Sequence, residues 1–390
     1  MSFRKPRVRS GLSFDDVLLV PQRTRAHSRR DVELSTRLTT DITLGTPLVS
    51  ANTPWCTGAE MAVGMARAGG CGFVHRMQPV EEQARQVAEV KSTPAEETSF
   101  PGASRDEWGR LRVGAAVGVR DEFLERARQL VDAGVDVLVI DIAHGHSTQT
   151  LAALEKLREN HPDVGLMAGN VATADGTRDL VEAGAQAVKV GIGPGGICTT
   201  RQVAGAGVPQ ITAIMDCAEA AAEFDVPVVA DGGVRSSGDM VKALAAGASS
   251  VMLGSMLAGV DESAALLVEQ DGAKYKVTTG FVTLGVPLTL KRQRGERITR
   301  RELEEYVPEG VEASFDYLGG LDTVLTQYTG GIRSGVSYSG ALDIAELHDK
   351  AEFTRVTPAG LGENRPHAVE RTRQVHPDYR ADFLAEASSS

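Results

Sequence analysis

The segment GIGPGGICTTR (191–201) holds the residue types that nucleophilic chemistry needs. Its glycines let the backbone fold tightly and leave carbonyls and amides free. Cys198 is followed by Thr199, Thr200 and Arg201, a polar and cationic neighbourhood that favours thiolate. A thiol so placed is a candidate nucleophile. Cys56, Cys71 and Cys217 lack such surroundings and read as small core residues. Two more glycine-rich segments, ADGGVRSSGD (230–239) and VMLGSMLAG (251–259), follow apolar runs. Glycine amides and a helix N-terminus there would hold phosphate. Asp231, just before Gly232 and Gly233, is placed to accept from ribose hydroxyls; its other reading is a cap or turn residue. His144 and His146, at i, i+2 after a strand, fall on opposite sides without a carboxylate cluster, which argues against a metal site.

These groups need a scaffold that brings strand ends together. Eight apolar runs recur from residue 46: TPLVSA (46–51), CGFVHR (71–76), RVGAAVG (112–118), DVLVIDIA (136–143), VGLMAGNV (164–171), AQAVKVGI (185–192), PVVADGG (227–233) and SSVMLGS (249–255). Each reads as a parallel strand buried on both faces. Amphipathic stretches such as EMAVGMARAG, EFLERARQLVDAG, TLAALEKLRE, TRDLVEAG and DMVKALAAG lie between them, several closing on Ala-Gly as helices do. The pattern predicts one α/β domain over 1–390, a (β/α)8 TIM barrel, with a doubly wound sheet as the alternative. Such barrels carry their site at the C-terminal strand ends. Those ends here hold Asn52 and Thr53, His75 and Arg76, Asp141 and His144, Asn170, the 191–201 loop, Asp231 to Gly233, and Gly254 with Ser255. Two stretches break the rhythm: a polar linker at 92–109, and 277–312, read as a mobile flap with the charge run KRQRGERITRRELEE.

Composition narrows the class. The chain of 390 residues is 42% hydrophobic and 24% charged, as globular proteins are. A formal net charge of −11 disfavours nucleic acid as a partner, while backbone amides still suit a phosphorylated small molecule. Four cysteines with no CxxC pair make neither a disulfide framework nor a zinc site. No apolar run reaches membrane-spanning length and the start is basic and polar, so no membrane partner and a cytoplasmic location are expected.

GIGPGGICTTR, VIDIAHGHS, AGNVAT, VADGGVRSSGDMVKALAAGAS, VMLGS and SFDDVLLVP (13–21) together resemble the IMP dehydrogenase/GMP reductase family. The likeness continues through VPEGVE (307–312), GGIRSGVSYSGA (330–341) and ENRPH (363–367). The resemblance implies a purine nucleotide held covalently through its C2 by Cys198 while hydride passes to or from a nicotinamide. Asp231, Gly233, Gly254 and Ser255 match nucleotide-binding positions, with Gly232 between them. Asp141 matches the contact to the nicotinamide ribose, and Asn170 and Gly193 lie near the nicotinamide. Carbonyls of Gly193, Gly195 and Cys198 match a monovalent-cation site, for K+, which Glu363 of a neighbouring subunit helps complete. Homotetramers are the family's usual assembly.

The two family activities share the hydride step. The dehydrogenase takes IMP and NAD to XMP, using an Arg-Tyr pair on the flap to activate water. The reductase takes GMP and NADPH to IMP and ammonia, with a Thr-Glu pair matched here by Thr200 and Glu309. The flap offers Arg292, Arg294, Arg297, Arg300 and Arg301, but its tyrosine, Tyr306, stands outside the expected place. The expectation is therefore GMP reductase, with IMP dehydrogenase and a catalytically inactive purine-nucleotide-binding protein as alternatives. Other departures are Gly196 where the family has serine, TTGF (278–281) in place of Tyr-Arg-Gly-Met, and SANTPWC (50–56). Many members carry two CBS repeats where this chain has its linker, and DEWGRLRVGAAVG (106–118) resembles the sequence after such a module.

Overall fold

The structure is a computed structural model that describes residues 8–95, 100, 102–120, 122–278, 288, 291, 295–307 and 310–364. Eight parallel strands form a closed barrel: β1 (Leu48–Ser50), β2 (Cys71–Val74), β3 (Val113–Val117), β4 (Val137–Asp141), β5 (Gly165–Val171), β6 (Ala187–Val190), β7 (Val228–Asp231) and β8 (Ser250–Leu253). Each falls inside one of the eight apolar runs. β8 pairs back onto β1 through Val251–Leu48, Met252–Val49 and Leu253–Ser50, which closes the sheet and rules out the doubly wound alternative.

Helices α1 (Ala59–Arg67), α2 (Val80–Ser92), α3 (Phe123–Asp132), α4 (Thr148–Asn160), α5 (Ala174–Glu182), α6 (Thr200–Val203), α7 (Gln210–Ala222) and α8 (Ser237–Ala245) connect them. Side-chain oxygens of Ser147, Thr173 and Ser236 accept from the first-turn amides of α4, α5 and α8. The Ala-Gly endings behave as glycine stops, with φ of 90°, 108° and 108° at Gly134, Gly184 and Gly247.

The strands are buried on both faces, and the two faces build separate cores. Outward side chains such as Leu138, Ile140, Val188 and Val251 pack under the helices. Inward ones, including Val49, Phe73, Val137, Val139, Met167, Ala187, Val229 and Met252, fill the barrel. A hairpin of Thr36–Arg37 and Thr43–Leu44 adds Leu38, Ile42 and Leu44 to that filling and seals the N-terminal end. Among the described residues no helix is long and apolar enough to cross a membrane.

The alternation signal did not anticipate an antiparallel sheet after β8. Leu266–Gln270, Ala273–Val277 and Ser314–Asp316 form it, and its mostly exposed faces explain the weak pattern. Lys276 is buried there and donates to the carbonyls of Asp261, Ser263 and Ala265. Of the expected flap, residues 279–287, 289–290, 292–294 and 308–309 lie outside the described residues. Arg300–Glu305 forms a helix whose Thr299 and Glu302 make a reciprocal cap.

The 92–109 linker is anchored at its far end. Lys91 Nζ lies 3.0 Å from Asp106 and 2.6 Å from Asp136, all three buried. Burial would raise the Asp106 carboxyl, but Lys91 and Arg110 outweigh it and hold it at about 2.

A helix at Leu321–Tyr338 packs on α8 with Gly335 at the contact. A Cβ there would come within 2.7 Å of the Val241 methyls, whereas one at Gly330 in the same helix would meet nothing within 4 Å. Gly335→Ala is therefore expected to destabilise by about 1–3 kcal/mol through overpacking. Gly330→Ala should be neutral or stabilising by a few tenths. Thermal melts of the two variants decide it: equal Tm values would remove the close-packing argument.

Candidate active site

The C-terminal strand ends bring the sequence-selected residues to one rim. Asp141 ends β4, Asn170 lies in β5, Asp231 ends β7, and Gly254 and Ser255 follow β8. Beneath them stands Lys189 of β6, 2% exposed and pointing into the barrel. Its Nζ donates to Asp141 Oδ1 at 2.6 Å and to Asp231 Oδ2 at 2.7 Å. Asn52 Nδ2 donates to Asp141 Oδ2 at 2.8 Å, and Asn170 Nδ2 to Asp231 Oδ2 at 2.9 Å and Gly191 O at 2.7 Å. Burial alone would raise the Asp141 carboxyl, yet the Lys189 charge and the hydrogen bonds of Lys189 and Asn52 hold it below its usual range. For Lys189, burial pulls downward and the two carboxylates more than reverse it. Sequence reading passed over Lys189. A lysine inside an otherwise apolar barrel strand was the signal available.

The 191–201 loop folds back on itself. Gly191 and Gly193 have φ of 146° and 70°, a conformation glycine tolerates. The Cys198 amide donates to Gly195 O at 3.1 Å, and Cys198 Sγ lies 3.2 Å from Thr200 Oγ1. Arg201, expected to lend positive charge to the thiol, also clamps the loop: its Nε donates to Ile192 O and its Nη2 to Val208 O. From the far side, Gly310 pairs with Cys198 and the Val311 amide donates to Ile197 O at 3.0 Å.

Two cavities meet at this loop. The larger, of about 550 Å3, is bordered by Cys198, Asp231, Gly233, Gly254, Ser255 and Trp55, and also by Tyr306. The smaller, of about 230 Å3, is bordered by Asn52, Asp141, Asn170, Lys189, Gly193 and Thr200. Cys198, Gly195, Asp231 and Gly232 border both. Asp231 is the only carboxylate or cation lining the larger cavity among the described residues. A third cleft beyond Gly196, Gly233 and Ser255 carries Arg201 and Arg235. Two buried oxygens, Asn170 Oδ1 in the smaller cavity and Thr53 Oγ1 where the two cavities meet, have no hydrogen-bond partner among the described residues, so donors and acceptors of a polar ligand would be met there.

The structure thus gathers Cys198, Thr200, Asp231, Gly232, Gly233, Gly254, Ser255, Asp141, Asn170, Gly193 and Gly195. Glu309 lies outside the described residues, as do Arg292 and Arg294. Glu363 is exposed in the short helix Gly360–Asn364 and borders neither cavity. Arg300 and Arg301 pair with Glu304 and Glu305 one turn on. Tyr306, placed by sequence outside its expected position, nonetheless lines the cavity wall.

Cys56, Cys71 and Cys217 are buried, and burial pushes their thiols up to about 11, about 12 and about 12. Cys198 is half-buried. Iodoacetamide at pH 8 should therefore label Cys198 alone in the folded chain, and all four after denaturation, as peptide mass spectrometry reads. Labelling of any second cysteine at a similar rate would contradict this arrangement.

His75, next to the end of β2, is buried, and its Nδ1 has no partner among the described residues. Burial, and then the Arg126 charge, push it down to about 4. The unfolded chain binds a proton at this site near pH 6.5 and the folded chain only near 4, so stability falls as pH drops through that window. The loss amounts to roughly 3 kcal/mol. The Tm decline between about pH 7.5 and about pH 4.5 should be smaller in His75→Gln; equal declines would clear His75 of it.

Residues 11–367 match the family described as the IMP dehydrogenase / GMP reductase domain. The chain is 40% identical to an inosine-5′-monophosphate dehydrogenase of Aquifex aeolicus (strain VF5), over 96% of this chain and 99% of the relative. It is 37% identical to that of Nitrosopumilus maritimus (strain SCM1), over 93% and 99%. Among solved structures, a cysteine-to-alanine variant of GMP reductase from Trypanosoma brucei, in complex with guanosine 5′-monophosphate, superposes with a TM-score of 0.85 at 33% identity, covering 92% of this chain and 98% of that one. With a closed barrel, a thiol at the junction of two rim cavities and this match along nearly its whole length, the chain belongs to the IMP dehydrogenase/GMP reductase family, whose members are NAD(P)-dependent oxidoreductases acting on purine nucleotides.

Proposed function

We propose that the chain is a GMP reductase, converting GMP and NADPH to IMP, ammonia and NADP+ through a covalent bond between Cys198 and purine C2. The observation that carries the reading is that Cys198 borders both cavities, so one thiol can face a nucleotide on one side and a nicotinamide on the other. In the larger cavity, amides of Gly233, Gly254 and Ser255 would hold the 5′-phosphate, with Arg201 and Arg235 beyond them and Asp231 on the ribose. In the smaller, Asp141 would hold the nicotinamide ribose, with Asn170 and Gly193 beside the ring. The unpartnered Asn170 Oδ1 and Thr53 Oγ1 support this fit. When bound, the dihydronicotinamide supplies the two electrons that reduce C2.

The Cys198 sulfur bonds to C2 as the 2-amino group leaves as ammonia, and that bond breaks when C2 is reduced, returning the thiolate. Thr200, 3.2 Å from the sulfur, and Glu309 would pass protons to the departing amine. Gly310, the residue after Glu309, pairs with Cys198, which supports their partnership. Carbonyls of Gly193, Gly195 and Cys198, with Glu363 of a second copy in a homotetramer, would hold K+ and so steady the loop. The alignment with the Aquifex relative runs over 488 positions against 390 residues here, so that relative has stretches without counterpart. This supports a missing CBS module, which the resemblance puts at 92–109, in a single catalytic domain whose flap we assign to 277–312.

Tyr306 on the cavity wall and the names of the Aquifex and Nitrosopumilus relatives favour a second reading, IMP dehydrogenase with NAD. An absorbance assay at 340 nm in the presence of K+ separates the two. The reductase consumes NADPH with GMP and forms no NADH from IMP and NAD; the reverse pattern overturns it. Cys198→Ala should lower turnover at least a thousandfold while GMP still binds, and near-normal turnover would end the covalent mechanism.

A further inference from the structure

Lys189 joins two carboxylates carried by different strands, Asp141 of β4 and Asp231 of β7. Strand register sets Asp141 beside Gly169 and Gly169 beside Lys189, so the three stand at one level of the barrel. A Cβ at Gly169 would lie 2.7 Å from Lys189 Cβ, so the missing side chain opens the lysine's route toward Asp141. Two of its three donors are committed to carboxylates, at 2.6 Å to Asp141, which borders the smaller cavity, and at 2.7 Å to Asp231, which borders both. Both Asp141 oxygens and Asp231 Oδ2 are thereby engaged, by Lys189 with Asn52 and Asn170. Asp231 Oδ1 accepts no hydrogen bond among the described residues and is left for a ligand.

We infer that Lys189 is a positioning residue that fixes both carboxylates through one shared ammonium, so that the nucleotide and the dinucleotide bind interdependently. The inference rests on the reading that Asp231 and Asp141 hold the two riboses; it holds for either family activity. One ammonium between two carboxylates cannot strengthen its bond to one without loosening the other. A ribose hydroxyl arriving at Asp141 therefore shifts the pull on Asp231, and the coupling must be reciprocal. Remove the ammonium, and two half-buried carboxylates are left with their asparagine donors and no countercharge between them.

The experiment uses intrinsic fluorescence. The chain has two tryptophans: Trp108 is 70% exposed, while Trp55 is 6% exposed on the wall of the larger cavity. Trp108→Phe leaves Trp55 as the reporter for titration with GMP, IMP and NADPH, with calorimetry as a check. Lys189→Met should raise the Kd of nucleotide and of dinucleotide at least tenfold each, and Lys189→Arg, which keeps the charge, should recover most of that. Asp141→Asn is the decisive variant, and it serves if Lys189→Met does not fold. It leaves Lys189 to settle on Asp231, so the nucleotide Kd should rise at least threefold with no dinucleotide present. A local Asp141 would change only dinucleotide binding, and that outcome overturns the inference alone. A wild-type chain that binds neither GMP nor IMP overturns the inference together with the functional reading.

Discussion

A buried ammonium shared by two carboxylates sets the terms for the rest of the rim. An unpaired charge inside the barrel would cost several kcal/mol, so Lys189 is tolerable only with Asp141 and Asp231 at contact distance. That requirement links β4, β6 and β7 across the barrel mouth, with β5 threaded between them. It also explains a glycine at 169, where a side chain would press on Lys189. The two asparagines then complete the carboxylate partners from the loop after β1 and from β5. The polar cluster thus rests on the apolar filling of the barrel, which holds the strands in the register that makes the distances possible.

The thiol is fixed by different means. Arg201 ties the ends of its loop together from within, and Gly310 and Val311 hold it from outside. The outer segment belongs to the excursion whose sheet stacks Phe315 on Trp55 at 5.7 Å. Trp55 in turn lines the cavity that Cys198 borders. The wall of the larger cavity therefore joins elements remote in sequence, and its shape depends on the excursion docking correctly.

What the sequence made legible follows from periodicity and local chemistry. The eight strands were readable because both faces of each are buried, and the helix stops because Gly134, Gly184 and Gly247 sit at positive φ. The glycine loop and the rim residues followed from the barrel's rule for strand ends. Lys189 was legible only as a lysine in an apolar strand, since its partners are two carboxylates 42 and 48 residues away. Arg201 was read only for its charge beside Cys198, and its hydrogen bonds to the carbonyls of Ile192 and Val208 show only in the folded loop. The excursion sheet escaped because exposed antiparallel strands leave little alternation to read.

The departures at the phosphate and base contacts have a physical reading in the same geometry. A Cβ at Gly196 would meet Ser255 Oγ only at 3.8 Å, so packing does not demand glycine there, and the absent hydroxyl is a contact forgone rather than one excluded. On the proposed mechanism such a loss weakens the first encounter with the nucleotide. It bears less on the later step, because a base bonded to Cys198 is held by that bond and needs little non-covalent affinity to stay. The second cavity can then exchange its occupant while the first remains filled. A site that tethered its intermediate in this way would tolerate weaker phosphate and base contacts, while its chemistry would still need the thiol.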